Sequence, residues 1–116
     1  MNLHHKDLTL ERWQRLSFYE QMANIGSEIL RAINWRGRNQ EYSRLALERA
    51  LELLDLTLET AASKGSRPRL KELTRLRESL VDYFFFDNDY HSNDKNWQDY
   101  FLAFSYAARR PYKGSL

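Results

Sequence analysis

The sequence predicts an all-α chain, an up-down four-helix bundle with a short extra N-terminal helix or turn. Three observations predict it. Glycine and proline are scarce, 4 and 2 in a chain of 116 residues, whereas sheet proteins need both at their many turns. Leu, Glu, Arg and Ala dominate the middle of the chain, a helical composition. Apolar residues recur every three or four positions in segments parted by short polar breaks, and such breaks join antiparallel neighbours. No repeat, low-complexity tract or linker interrupts the chain, so 1–116 reads as one domain able to bury a single core.

Residues 8–15 form a short helix or turn anchored by Leu8, Leu10, Trp13 and Leu16. Ser17 and Glu20 have the spacing of a capping box, which satisfies free amides of a first helical turn. The helix they open runs to about Trp35, with Gly37 as its stop. Asn39 caps the next helix, about 40–62, which Lys64-Gly65-Ser66 ends. Ser66, with Pro68 in the first turn, opens a helix of about 67–86. A polar hinge follows, from Asp87 to Asp94. Ser92 or Asn93 then caps a last helix, about 94–109, which Pro111 stops.

At 100° per residue each helix acquires a face. Phe18, Met22, Ile25, Ile29 and Ile33 share one side of the first long helix; Trp97, Tyr100, Phe101, Phe104, Ala107 and Ala108 share one side of the last. Helix 40–62 is different. Its leucines and alanines cover more than half the circumference and leave a narrow strip of Arg44, Glu48, Glu52, Asp55 and Glu59. An arc that wide packs on two sides, or meets another chain.

The 18 basic and 16 acidic residues leave a net charge of +2, too little to indicate nucleic acid by itself. Without cysteine the chain has no disulfide or thiolate chemistry, which suits a reducing compartment. No stretch approaches the roughly 20 apolar residues of a membrane span, and Met1–Asp7 lacks the apolar run of a signal peptide. The expectation is a soluble cytoplasmic protein that makes no use of a membrane.

Two arginines occupy positions where leucine would fit the pattern: Arg49 within the apolar arc, and Arg77 on the stripe of Leu70, Leu73, Leu80 and Phe84. A desolvated guanidinium needs a partner, and Glu28, Asp55, Glu78 or Asp82 can supply one. A structural ion pair is the ordinary reading; the sharper one is an anion or RNA site formed by Arg49, Arg77, Tyr83 and His91. Lys64, Arg67, Lys71 and Arg75 make a second candidate, a basic face able to follow a phosphate backbone or simply to face water. In the hinge, Asp87, Asp89 and His91 look superficially like a calcium loop. Ser92 stands where the glycine belongs and Gln98 where the bidentate glutamate belongs, so turn formation and capping account for these residues better and no metal is assigned. There is no Walker loop, no Gly-x-Gly-x-x-Gly, no serine nucleophile motif and no Glu-x-x-His pair, so no cofactor and no catalytic residue is assigned.

Eleven of the sixteen aromatic residues lie between Tyr83 and Tyr112. That ring area, with the wide apolar arc, points to a non-enzymatic interaction module, a homo-oligomer or the partner of another helical protein. Its contact would use helix 40–62 or the aromatic last helix.

The run Ala46–Leu58, with Leu70-Lys71-Glu72-Leu73 and Arg75-Leu76-Arg77-Glu78, resembles small uncharacterised prokaryotic helical proteins. The plan of a short bundle with an arginine on a core face is also similar to HEPN domains, which are helical, often dimeric, and frequently part of toxin–antitoxin or defence systems. Their ribonuclease motif is an arginine followed four to six residues later by histidine. Here five residues separate Arg77 from Tyr83, so the spacing is kept and the base is not. The resemblance implies an RNA-binding protein or ribonuclease; since tyrosine, with a pKa near 10, is a poor substitute for histidine at neutral pH, it implies an inactive copy, a binding partner or a divergent member.

Overall fold

The computed structural model describes residues 9–109. Its helices are α1 (Leu10–Gln14), α2 (Phe18–Trp35), α3 (Gln40–Ser63), α4 (Arg67–Phe85) and α5 (Asp94–Arg109), and among the described residues there is no strand. Leu8 and Pro111 lie outside that range. None of these helices is long and apolar enough to cross a membrane.

Local chemistry sets most boundaries. Thr9 accepts from the Arg12 amide and starts α1. Ser17 and Glu20 exchange the two bonds of a capping box at the start of α2. Asn39 accepts from the Tyr42 amide to start α3. Before α5, Asn93 and Asn96 each accept from the other's amide, a reciprocal cap built from two asparagines. Gly65, at φ 69°, closes α3: its amide bonds to the Ala62 carbonyl and that of Ser66 to Ala61, the paired pattern of a left-handed helix end.

Two expected caps work differently. Gly37 is not at positive φ; the chain leaves α2 because the Arg38 and Asn39 amides both bond to the Trp35 carbonyl. Ser66 stands before α4 but makes no side-chain cap bond. Pro68 removes one of its two usual targets, the amide of the second helical residue, and the other, that of Arg69, is not bonded by the Ser66 side chain.

The packing order is α5–α2–α3–α4, with α1 laid on α3. α3 is central. Ala46, Leu47, Ala50, Leu53, Leu54 and Ala61 are buried, and most of the wide arc packs on three neighbours within this chain. Trp13 anchors α1 by donating to the Thr57 hydroxyl at 3.0 Å, which in turn donates to the Leu53 carbonyl. α2 faces both ways, onto α3 and α5, through Met22, Ile25 and Ile29. Gly26 lies where α5 crosses: a Cβ there would stand 2.6 Å from Phe101 Cβ. The crossing therefore requires glycine in mid-helix despite its cost of roughly 0.5–1 kcal/mol.

α4 is the edge. It buries Leu73, Leu76 and Leu80 against α3. Among the described residues it does not run along α5 over a comparable length. The two are bridged by side chains, with the Tyr83 and Trp97 rings 6.2 Å apart.

Candidate interaction surfaces

The two unusual arginines have separate carboxylates. Arg49 donates from Nε to Glu28 at 2.6 Å, and Arg31 holds the other Glu28 oxygen. Glu28 is 5% exposed and Arg49 keeps a quarter of its side chain in water, so the pair bolts α2 to α3 at the margin of the core. Arg77 donates from Nε to Asp55 at 2.8 Å, joining α4 to α3, with both groups partly solvated.

Tyr83 points elsewhere. Its hydroxyl donates to Asp94, which also receives Arg36 through two bonds of 2.7 Å. The Arg36 guanidinium lies over the Tyr83 and Phe84 rings, 5.6 and 5.8 Å from their centres. Residues from the end of α2, the end of α4 and the start of α5 thus meet on one carboxylate. Burial alone would raise the Asp94 pKa, but the bonds from Tyr83 and Arg36 outweigh it and hold the carboxyl below its ordinary value. Burial and the bond to Asp94 push the Tyr83 phenol up. Arg77 and Tyr83 therefore lie on different faces of α4, each with its own partner.

The hinge is held by its own polar groups. Asp82 accepts from the Asp89 and Tyr90 amides, and Asn88 both donates to and accepts from the Ser92 backbone. Asn88 and His91 are each at φ 56°, the left-handed region that Asn and His tolerate better than most residues. His91 is exposed. Among the described residues no three His, Asp or Glu side chains are grouped to hold a metal, so Asp87, Asp89 and His91 do not form such a set.

Between the hinge and α4 lies a hollow of about 690 Å³, walled by Leu58, Val81, Phe86 and Tyr90 and edged by Glu78 and Asp87. Phe86 is 72% exposed and Tyr90 56%; Phe85, also exposed, borders a separate hollow with Arg36, Gln40 and Arg44. The hollow beside the hinge shares Thr74 and Glu78 with a shallower one lined by Leu70, Lys71 and Arg75. Together they form a continuous trough along the outer face of α4.

The basic residues lie in the first half of that helix and, for Lys64, just before it. Lys64, Arg67, Lys71 and Arg75 are exposed, and no ion pair engages them among the described residues. Arg69 instead covers the Phe18 ring at 4.1 Å. Lys71 and Arg75 also edge the seam between α4 and α5, whose other wall is Trp97 and Tyr100. Burial, and then the charge of Glu72, push the Tyr100 phenol up to about 12. Trp97 Nε1 is buried there with no acceptor among the described residues.

Three features were not singled out in the sequence: Gly26, the Arg36–Asp94–Tyr83 junction, and the role of Asp82 in the hinge. Only Gly26 left a signal, a glycine inside a helical pattern. No family model, no curated protein and no solved structure matches this chain.

Proposed function

We propose that this chain is a non-enzymatic interaction module that self-associates through the outer face of α4 and the adjoining hinge. The observation that carries the reading is the state of that edge. α4 runs along one neighbour, α3, and its open side ends in two water-facing aromatics, Phe86 and Tyr90. Rings this exposed beside a concave wall are the anchors that interfaces bury. The surface takes in Leu58 from the expected apolar arc of α3, most of which packs inside the fold. Light scattering at tens of micromolar, an order at which specific interfaces persist, tests it. The expected result is a dimer for the wild type and a shift to monomer for Phe86→Ser; a wild type that stays monomeric would overturn the reading.

A second reading is RNA binding by an HEPN-like protein along the basic face. It is supported by four exposed cations, Lys64, Arg67, Lys71 and Arg75, free of ion pairs among the described residues, two of them beside the Tyr100 ring. Anisotropy of a labelled single-stranded RNA would show affinity falling steeply with salt, and Lys71→Ala would lower the salt slope by about one. Salt-independent or absent binding would remove this reading.

A further inference from the structure

Resting on the self-association reading, we infer that the second copy lies antiparallel on α4, in a register set by charge. The outward residues Arg67, Lys71, Arg75, Glu78 and Asp82 fall within an arc of about 80° at 100° per residue. It lies opposite the buried Leu73, Leu76 and Leu80. Along this strip the sign of the charge changes once, from basic in the first half to acidic in the second.

A strip of this kind is complementary to itself when turned end for end. A two-fold axis midway between Leu76 and Arg77 sets Arg75 opposite Glu78 of the second copy and Lys71 opposite Asp82. The same axis sets Arg67 opposite Phe86, the most exposed large apolar residue described, as a cation over an open ring. Every pair occurs twice, as an isologous contact requires. A parallel arrangement would set like charges side by side, which is costly. Arg67, Lys71, Arg75 and Glu78 have no ion-pair partner among the described residues, so no bond in the fold competes for them. The Asp82 carboxylate accepts only two hinge amides, from Asp89 and Tyr90, among the described residues.

α4 is 19 residues long, a strip of about 28 Å at 1.5 Å per residue. Helix and hinge together make a small contact whose register is set by charge. The complex is therefore a micromolar one, sensitive to ionic strength as the screening length falls from about 10 Å at 0.1 M to about 3 Å at 1 M salt.

Three variants, Arg75→Glu, Glu78→Arg and the double exchange, test the register by sedimentation equilibrium, with circular dichroism confirming that each is folded. Each single change sets like charges together twice and is expected to weaken the dimer on the order of tenfold. The double exchange restores opposite signs at the same two places and is expected to recover dimerisation. Mixing the two single variants gives a heterodimer with both pairs complementary. A wild-type dimer indifferent to all three changes would overturn the register and leave self-association standing. A monomeric wild type would overturn both. Double-exchange protein that remains monomeric while RNA affinity falls with Arg75→Glu would transfer the cations to the nucleic-acid reading.

Discussion

Helices α2 and α4 are nearly equal in length, 18 and 19 residues, and deploy charge in opposite ways. In α2, Glu28 is buried and bonded to two arginines, one from α3, and the helix is packed on two sides. In α4, Arg67, Lys71, Arg75 and Glu78 face water, and the helix is packed chiefly on one side. A charge committed to a buried partner belongs to folding, and changing it changes stability. A charge the fold does not engage is available to a partner. Substitutions in the two helices should therefore be read by different instruments.

The largest effect is expected at Glu28. Glu28→Ala leaves Arg49 and Arg31 without their carboxylate, and because Arg49 can still reach water the loss is about 2–3 kcal/mol, below that of a wholly buried pair. Urea denaturation measures it. Adding Arg49→Met should recover most of the loss, since an apolar replacement of both partners is often neutral. An equal loss in both variants would contradict the ion-pair account.

Gly26→Ala comes next. Overpacking of this kind typically costs 1–3 kcal/mol, and Phe101 Cβ has no freedom to move without its helix. A net destabilisation of about 2 kcal/mol is expected in thermal melts. A stabilised variant would show that α5 does not cross at this residue.

The Arg36–Asp94–Tyr83 junction is intermediate because Asp94 is partly solvated. Asp94→Asn should cost about 1 kcal/mol at neutral pH. Its carboxyl is held below the ordinary value, so its stabilisation is present above the unfolded pKa, about 3.9. That stabilisation is lost as pH falls through the lower folded one. Acid titration of wild type and variant should therefore converge below about pH 4. The alkaline limb runs the other way. Tyr100 is raised to about 12, so its contribution is complete below the unfolded value near 10 and is lost as pH rises toward the folded one. Tyr100→Phe should retain more helix than wild type in that interval, read by circular dichroism. Identical alkaline curves would place the Tyr100 phenol in water.

Much of this was legible in the sequence. Ser17–Glu20, Asn39 and Asn93 act within three residues of themselves, so residue type and spacing reveal them. The periodicity placed α2 to α5 within a residue or two, and the candidate carboxylates for Arg49 and Arg77 included Glu28 and Asp55. What escaped depends on long-range approach. The meaning of Gly26 exists only because α5 lands on it, and Arg36 meets Asp94 across 58 positions. The width of the α3 face was visible, but three internal neighbours and an external chain demand the same arc. The exposure of Phe86 and Tyr90 follows from the hinge turning back onto Asp82, a bond no pattern announces.

The smallest stability effects are expected on α4. Arg75→Glu and Glu78→Arg should each shift stability by no more than about 0.5 kcal/mol while moving the oligomeric equilibrium. A larger stability loss would mean that these charges serve the fold as Glu28 does.

The separation of a folding region from an associating edge is tested most directly by hydrogen exchange at two protein concentrations, below and above the micromolar range, at low salt. Added protection at high concentration is expected in peptides covering α4 and the hinge, residues 67–91, with α2 and α3 unchanged. Protection that rises elsewhere, or not at all, would contradict the account.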